Sequence, residues 1–338
     1  MHADPASSIA PFAVHGGRVD LARAAYPGVE AWIDLSTGLA PWSYPYAISP
    51  GSNAHLPDPA ALAALEAAAA SVFGVAAKRV VAVPGSDLGL RLLAAVIGGE
   101  AAVVRPGYSG HWSMWPAGAV TAVVAAELES AATAGRSIVL ARPNNPDGLV
   151  IDRDRLEALA AKLAAHGRYL IVDEAFVDAT PDASLAASGW PGLIVVRSFG
   201  KFFGLAGLRL GFVIAPVKIA DGLRQLLGDW PIGGAAIALG TVAYADRDWQ
   251  AAQRNRLDDA ASALDRRLDG AGLEVIGGTR YFRLVMTPRR DAVFDRLARA
   301  GILTRPFAGQ ADWLRLGLPS NNSDWARLDA ALDTWSRA

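Results

Sequence analysis

The sequence predicts an α/β protein with a large, doubly wound, mostly parallel sheet followed by a smaller α+β domain. Short apolar segments rich in Val and Ile, without strict polar alternation, are typical of parallel strands buried on both faces. The segments with this pattern are residues 80–83, 101–104, 137–141, 169–172, 193–196 and 210–214. Helix-like segments lie between them at 86–97 and 152–166, so strands and helices alternate as they do when helices cover both faces of a parallel sheet.

The regions that flank these strands define the expected domains. Before the first strand, Asp58 is a candidate N-cap for the helix that follows it. After the last strand, residues 217–268 form a long helical stretch, and shorter strand-like and helix-like segments come after it. We expect an amino-terminal arm over residues 1–50, a large domain over 51–216, and an interdomain helix with a small carboxyl-terminal domain over 217–338.

Composition excludes several classes of function. The chain carries 32 Lys and Arg against 33 Asp and Glu, so its net charge gives no field that would hold a nucleic acid. It has no cysteine, which excludes thiolate catalysis and disulfides and fits a reducing cytoplasm. Its five histidines are scattered, so no metal is expected. The amino terminus lacks a secretion signal, and the uncharged stretch 231–245 is too short for a membrane helix. We therefore expect a cytoplasmic protein with a small-molecule ligand.

A lysine among glycines is the strongest chemical signal. The loop Ser-Phe-Gly-Lys-Phe-Phe-Gly-Leu-Ala-Gly-Leu-Arg follows the predicted strand 193–196 and places Lys201 between Ser198 and Arg209. Glycines let the backbone approach a ligand closely, and α/β proteins bind small molecules at the carboxyl edge of the sheet. A hydroxyl and a guanidinium at this edge suit a phosphate. Taken alone, the segment is equally compatible with a surface lysine in a flexible loop.

Two further strand ends carry polar side chains. Residues 169–172 lead into Asp173, whose carboxylate can hold a protonated ring nitrogen. Residues 137–141 lead into Arg-Pro-Asn-Asn-Pro-Asp-Gly, where Asn145 can donate a hydrogen bond into the same cleft. Each residue also has a purely structural interpretation, Asp173 as a cap and Asn145 as part of a turn.

In this order the motifs resemble the fold-type I pyridoxal-5′-phosphate (PLP) enzymes, specifically the superfamily of aspartate and histidinol-phosphate aminotransferases, over residues 15–315. The resemblance implies the fold-type I transferase fold and assigns Lys201 as the lysine that binds PLP as a Schiff base. It implies cofactor-binding roles for Ser86 and Asp87 in Pro-Gly-Ser-Asp, Tyr108 in Pro-Gly-Tyr-Ser-Gly-His, Asn145, Asp173, Ser198 and Arg209. With Lys201, the predicted catalytic residues are Asp173, which would pair with the ring nitrogen, and Tyr108, which would stack on the ring. His111 is the implied neighbour of Asp173.

The resemblance also implies substrate-binding residues and a shared active site. Arg315 in Trp-Leu-Arg-Leu-Gly resembles the arginine that grips the substrate α-carboxylate, and Asn145 is assigned to the substrate as well as to the cofactor. Two positions depart from the family. Phe176 stands where many aminotransferases have a tyrosine that bonds the 3-oxygen of the PLP ring, and Leu56 stands where a tyrosine reaches the PLP phosphate of the neighbouring subunit. The family's shared active site implies a homodimer.

Three segments resemble the cobalamin-biosynthesis branch of this superfamily. They are His-Gly-Gly at His15, Asp-Leu-Ser-Thr-Gly-Leu-Ala-Pro at residues 34–41, and Asp-Glu-Ala-Phe at residues 173–176. The best-understood members of that branch are L-threonine-O-3-phosphate decarboxylases. The resemblance therefore implies conversion of L-threonine O-3-phosphate to (R)-1-amino-2-propanol O-2-phosphate. It further implies that the arm over residues 1–50 faces the substrate and that His15 binds the substrate phosphate.

Two other functions remain open on the same residues. An aminotransferase that acts on a phosphorylated substrate such as histidinol phosphate would use the same site, because the two reactions differ only in which bond of the α-carbon breaks. A catalytically silent protein that binds PLP or a corrinoid precursor is the other alternative. The presence of Lys201, Asp173, Asn145 and Arg209 argues against silence.

Overall fold

The computed structural model describes residues 9–46 and 54–336. The chain divides into two compact units. The large unit covers Ser43–Gln253, and the small unit joins Met1–Trp42 to Arg254–Ala338. Among the described residues, none of the helices combines the length and the apolar composition needed to span a membrane.

Strands and helices are numbered here in chain order. The strands are β1 Ile33–Asp34, β2 Val80–Val83, β3 Ala101–Val104, β4 Val120–Val123, β5 Ser137–Ala141, β6 Leu170–Asp173, β7 Leu193–Ser198, β8 Gly211–Ile214, β9 Glu274–Thr279, β10 Phe282–Met286, β11 Ile302–Leu303, β12 Arg305–Phe307 and β13 Gln310–Gly317. The α-helices are α1 Val19–Ala25, α2 Pro59–Phe73, α3 Ser86–Ile97, α4 Ser109–Ser113, α5 Leu128–Thr133, α6 Arg153–Ala165, α7 Phe199–Phe202, α8 Val217–Leu227, α9 Gly234–Ala245, α10 Arg247–Gly270, α11 Arg290–Arg299 and α12 Asn322–Ser336. Short 3-10 helices occur at Ala10–Phe12, Ala77–Arg79, Ala125–Glu127, Val177–Ala179, Pro181–Ala183, Ala186–Ser188 and Ala206–Leu208.

The large unit contains a seven-stranded sheet in the order β2–β8–β7–β6–β5–β3–β4. Strands β4, β3, β5, β6 and β7 are parallel, whereas β8 runs antiparallel to both β7 and β2. Every residue of β2, β3, β5, β6, β7 and β8 is buried, as the continuous apolar pattern predicts. The predicted doubly wound fold is confirmed. Strand β4 is absent from the prediction because its Val-Thr-Ala-Val sequence lies partly exposed at the sheet edge.

The division between the units differs from the predicted ranges at residues 217–253, which belong to the large unit. Ile219 and Leu223 of α8 are buried in the same core cluster as the central strands. Helix α9 packs so closely on α2 that a Cβ atom at Gly240 would lie 2.7 Å from Leu65 Cδ1. The sequence shows that these helices have apolar faces, but it does not show which surface those faces cover. The predicted boundary between residues 50 and 51 lies outside the described residues.

The small unit contains the four-stranded antiparallel sheet β12–β13–β10–β9 and the parallel pair β1–β11. Helix α11 buries Phe294 and Leu297 against this unit. The amino-terminal segment contributes to the same core, because the ring of Phe12 lies 5.2 Å from that of Phe294. The predicted α+β carboxyl-terminal domain is therefore completed by residues from the beginning of the chain, which the prediction treated as a separate arm.

Buried charges connect β6 to β7 in the large unit. Arg197 in β7 is 2% exposed, and Glu174, immediately after β6, is fully buried. Arg197 Nη1 donates to Glu174 Oε2 at 3.3 Å, and Arg197 Nη2 donates to the carboxylate of Asp178. Ser184 Oγ donates to Glu174 Oε2 at 2.7 Å. Because charged groups are stable in a protein interior only when they are paired, this cluster holds the two strand ends in a fixed relation.

We predict that Arg197→Ala lowers the free energy of unfolding by about 3–5 kcal/mol, because it leaves two carboxylates buried without their cation. The measurement is urea denaturation followed by circular dichroism. The control is Arg136→Ala, which removes a pair with Glu100 whose side chains are 33% and 59% exposed and should cost less than about 1 kcal/mol. Equal losses in the two variants would contradict the importance of the buried cluster.

Candidate active site

Lys201 lies in a short helix on an aromatic base. Helix α7 begins directly after β7, and it is brought close to the following turn by Gly200, where a Cβ atom would lie 2.7 Å from Ala206 Cα. Phe199 beneath it stacks on Phe203 with ring centroids 4.3 Å apart. The amine of Lys201 lies 5.7 Å from the ring centroid of Phe176. The lysine is thus presented from a rigid, well-packed support rather than from a flexible surface loop.

The carbonyl groups at the end of α7 have partners within the large unit. The Gln253 side chain donates to Phe202 O at 3.0 Å, and Tyr44 N donates to Phe203 O at 2.8 Å. Because the last carbonyls of a helix have no partner inside the helix, such bonds fix its end. Gln253 is buried, and its role was not foreseen from the sequence because its partner is 51 positions away.

Asp173 ends β6 as a buried carboxylate whose two oxygens both accept hydrogen bonds. Oδ2 lies 2.9 Å from His111 Nε2, and Oδ1 accepts from Ala175 N at 3.0 Å. Asp173 is 6% exposed and His111 is 1% exposed. Since neither group can turn towards bulk water, the pair forms a fixed acceptor at the carboxyl edge of the sheet. The resemblance implied this neighbour, and the structure brings the two side chains together.

Tyr108 connects the Asp173 pair to helix α3. Its ring meets that of His111 edge to face, with centroids 5.5 Å apart, and its hydroxyl donates to Asp87 Oδ1 at 2.9 Å. Burial, together with the nearby Asp87 carboxylate, raises the pKa of Tyr108. The phenol therefore remains protonated and acts as a donor.

The beginning of α3 is packed closely against Arg209 and β8. A Cβ atom at Gly85 would lie 2.6 Å from Arg209 Nη2, and one at Gly211 would lie 2.6 Å from Ser86 N. Ser198 is paired with Gly211 across β7 and β8. Arg209 adopts a left-handed backbone with φ of 53°, a strained conformation that is uncommon for residues other than glycine and tends to occur at functional sites. A helix amino terminus with a guanidinium and hydroxyls beside it fits a phosphate dianion.

Asn145 is half-buried in the loop after β5. Its neighbour Asn144 donates to Pro106 O at 2.9 Å and to Asp147 Oδ1 at 2.8 Å, and it thereby ties this loop to the one that carries Tyr108. Asn144 was not among the residues predicted from the sequence. The sequence shows two consecutive asparagines in a turn, but this pattern does not indicate which of the two binds a ligand and which stabilises the loop.

In the small unit, Arg315 is a buried cation. It is 2% exposed, and its Nη2 donates to Ser36 O at 2.6 Å. Arg305 lies directly opposite it in the register of β12 and β13. Burial and the neighbouring guanidinium lower the pKa of Arg315, although an arginine keeps its charge in proteins. Two adjacent guanidiniums of this kind are stabilised by a bound anion.

His15 lies on the amino-terminal segment of the same unit and is exposed. Gly17 N donates to Ser36 Oγ at 2.7 Å, and Arg305 Nη2 donates to Val14 O at 3.1 Å. A Cβ atom at Gly16 would lie 2.3 Å from Ser36 O, so the glycine allows the segment to pass close to β1. His15 therefore lies on the part of the unit that also contains Arg305. Arg305 was not predicted from the sequence, because only the register of β12 and β13 places Arg305 beside Arg315.

The predicted site residues are divided between the two units. Those in the large unit lie at one edge of the sheet, at the carboxyl ends of the parallel strands or at the beginning of β8. They are Ser86, Asp87, Tyr108, Asn145, Asp173, Ser198, Lys201 and Arg209. His15 and Arg315 belong to the small unit. Across residues 9–46 and 54–336, no group of three or more His, Asp or Glu side chains is arranged to hold a metal ion.

The chain is similar to known proteins over nearly its whole length. A threonine-phosphate decarboxylase from Pseudomonas aeruginosa is 42% identical over 94% of this chain and 96% of its own length. A threonine-phosphate decarboxylase from a Sinorhizobium species is 38% identical over 94% of this chain and 97% of its own. The crystal structure of a histidinol-phosphate aminotransferase from Sinorhizobium meliloti in complex with pyridoxal-5′-phosphate has a TM-score of 0.82, with 21% identity and 94% of each chain covered.

That structural likeness shows the fold, and the family follows from the sequence. The profile of the aminotransferase class I and II family matches residues 30–332, a range that includes all the predicted site residues except His15. Since this match covers most of the chain and the two bacterial relatives extend over nearly all of it, the chain belongs to the class I and II aminotransferase family.

Proposed function

We propose that the protein is a PLP-dependent decarboxylase that converts L-threonine O-3-phosphate to (R)-1-amino-2-propanol O-2-phosphate in cobalamin biosynthesis. The observation that carries the proposal is the pair of guanidiniums at Arg305 and Arg315 on adjacent strands. A substrate with a carboxylate and a phosphate at its two ends supplies one anion for each. The extended similarity to two threonine-phosphate decarboxylases supports the same substrate.

The large unit fits PLP on the geometry of its own residues. The cradle at the beginning of α3 has the donors and the positive field that a phosphate needs, and the buried Asp173 carboxylate is suited to a protonated ring nitrogen. When bound, PLP withdraws electrons from the bonds of the substrate α-carbon. The residues that would hold it are Lys201 through a covalent bond, Ser86, Asp87, Ser198 and Arg209 at the phosphate end, and Tyr108, Asn145 and Asp173 at the ring.

Lys201 and Asp173 have separate tasks in this proposal. Asp173 is oriented by His111, with 2.9 Å between Oδ2 and Nε2, and its carboxylate would favour a proton on the ring nitrogen. After carbon dioxide leaves, the α-carbon requires a proton, and Lys201 Nζ is the proposed donor. In an aminotransferase the same amine would instead remove the α-proton. Residue identity at these positions therefore does not distinguish the two reactions.

Substrate orientation is the task of the small unit. Arg315 would bind the α-carboxylate with two parallel hydrogen bonds, because a planar guanidinium matches the geometry of a carboxylate. Arg305 and His15 would bind the phosphate, and Asn145 of the large unit would also contact the substrate. Fixing both ends of a small flexible molecule limits rotation about the bonds of its α-carbon, which is the rotation that selects the bond to be broken.

We further propose that the protein is a homodimer. Leu56 and Val242 are 68% and 57% exposed, and both line a groove of about 470 Å³ between α2 and α9. Exposed apolar surface of this kind is typical of protein interfaces, and the resemblance assigns the position of Leu56 to a contact with a neighbouring subunit. A second copy of the chain is the occupant that both arguments favour.

We predict that sedimentation at micromolar concentration gives twice the monomer mass of 35.3 kDa. Val242→Lys should shift the protein towards monomer because it places a charge in an apolar interface. The control is Val124→Lys, at a site with 51% exposure in another part of the large unit, which should leave the mass unchanged. A monomeric wild-type protein would refute the dimer.

The reaction itself is the central test. Given PLP and L-threonine O-3-phosphate, with no 2-oxo acid present, the protein should release carbon dioxide and form aminopropanol phosphate. Lys201→Ala should form neither product, because it removes the amine that binds the cofactor and delivers the proton. If turnover requires 2-oxoglutarate and forms glutamate without carbon dioxide, the protein is an aminotransferase. If neither L-threonine O-3-phosphate nor histidinol phosphate is converted, with or without 2-oxoglutarate, the result favours the catalytically silent alternative.

We predict that Arg305→Ala raises the KM for L-threonine O-3-phosphate by about 10–150-fold, since a hydrogen bond to a charged group contributes about 1.5–3 kcal/mol. The same change should have little effect on decarboxylation of unphosphorylated L-threonine. Arg315→Lys should raise KM for both substrates, because an ammonium lacks the two-point geometry. PLP affinity should be unchanged in each variant. The control is Arg299→Ala, a 70% exposed arginine of the same unit, and equal effects of Arg305→Ala on both substrates would contradict the assignment.

A further inference from the structure

The side chain of Asp87 is held by two hydrogen bonds from neighbouring side chains. It lies in the first turn of α3, one residue after Ser86. Its Oδ1 accepts from the Tyr108 hydroxyl at 2.9 Å, and its Oδ2 accepts from Arg91 Nε at 3.1 Å. Both carboxylate oxygens are therefore bound by donors of the protein itself. A carboxylate beside a phosphate dianion would be repelled, so the side chain and the backbone N–H of Asp87 have different tasks.

Arg91 extends this contact to the helix that follows Tyr108. Its Nη1 donates to Ser113 O at 3.2 Å and its Nη2 to Ser113 Oγ at 3.1 Å. Ser113 is the last residue of α4, which begins directly after Tyr108. The tyrosine is thus held from two directions, by its hydroxyl through Asp87 and by its backbone through the helix that Arg91 binds.

The ring of Tyr108 has little freedom between these supports. A Cβ atom at Gly110 would lie 2.2 Å from Tyr108 Cε1 and 2.8 Å from Asp87 Oδ1, so only glycine leaves room for the ring at this position. On its other side the ring meets His111 with an interplanar angle of 88°, and His111 is fixed in turn by Asp173 at 2.9 Å. The hydroxyl bond to Asp87 thus completes a connected chain from α3 to the acid of the site.

We propose that Asp87 is a positioning residue whose carboxylate fixes the ring plane of Tyr108, so that the ring is ready to stack on the cofactor. The inference rests on the proposed binding of PLP, and it is independent of which reaction the enzyme catalyses. Pre-orientation matters because a stacking ring contributes fully only when its plane is set before the ligand arrives. In this proposal the cofactor phosphate is bound by the backbone N–H groups at the beginning of α3, by Ser198 and by Arg209.

The test is a double-mutant cycle on PLP binding rather than on turnover. The variants are Asp87→Ala, Tyr108→Phe and the two combined, with Asp87→Asn as the conservative change. The readouts are the dissociation constant of PLP and the visible circular dichroism of the bound cofactor, whose intensity reports the fixed asymmetry around it. Asp87→Ala and Tyr108→Phe should each weaken PLP binding by about 3–10-fold and reduce the dichroism. The combined variant should be no worse than Asp87→Ala, because both changes break one interaction.

The conservative variant separates positioning from charge. The amide oxygen of Asp87→Asn still accepts from the phenol, so PLP affinity should stay within about twofold of wild type and the dichroism should be retained. The control is Asp221→Ala, an exposed carboxylate paired with Arg224, which should change neither readout. Melting temperatures identify any variant that fails to fold. If Asp87→Ala fails to fold, the single variants Asp87→Asn and Tyr108→Phe test whether the bond to the phenol affects PLP binding.

Three outcomes would overturn the proposal. Additive losses in the cycle would mean that Asp87 and Tyr108 act separately. A loss in Asp87→Asn equal to that in Asp87→Ala would mean that the charge of Asp87, not its bond to the phenol, matters. Unchanged dichroism in Asp87→Ala would mean that the ring is fixed without it. Failure of the wild-type protein to bind PLP would refute the proposed function as well, whereas these three outcomes concern Asp87 alone.

Discussion

The burial of two consecutive carboxylates at the end of β6 is the constraint on which the site depends. Asp173 and Glu174 lie at the centre of a sheet whose strands are buried, and each requires its own partner because an unpaired buried charge is costly. Asp173 is paired with His111 and Glu174 with Arg197. The first pair belongs to the candidate site, and the second fixes the strands that carry it.

Strand alternation assigns these partners to opposite sides. Asp173 is aligned with Val196 in the parallel register of β6 and β7, so Ser198, two residues further along, lies on the same face of the sheet as Asp173. Arg197, which lies between Val196 and Ser198 in β7, faces the other side of the sheet, where it binds Glu174 and Asp178. A buried ion cluster on one face therefore sets the positions of Ser198 and Asp173 on the other face. Helix α7, which carries Lys201, follows directly from the strand that the cluster anchors.

Local patterns predicted the fold and placed the candidate site residues of the large unit at one edge of the sheet, because continuous apolar segments and polar strand ends are properties of short stretches of chain. What they did not predict depends on long-range register or packing. Arg305 becomes a candidate substrate-binding residue only because the strand register places it opposite Arg315. Helix α8 belongs to the large unit because its apolar face packs against the core of that unit. The side-chain contact of Asp87 joins residues 21 positions apart, a distance at which a sequence pattern gives no geometry.

The division of labour between the units bears on how one family can contain decarboxylases and aminotransferases. In the proposed function, the large unit supplies the lysine, the acid and the residues for the cofactor phosphate, and both reactions would need these in the same form. The arginines that would orient the substrate lie in the small unit. A substrate held at both ends must give up a charge-assisted hydrogen bond of about 1.5–3 kcal/mol to rotate, which lowers the population of other orientations by roughly 10–150-fold. Under the proposed roles, a change of reaction would involve the residues that orient the substrate, while Lys201, Asp173 and the residues for the cofactor phosphate would stay the same.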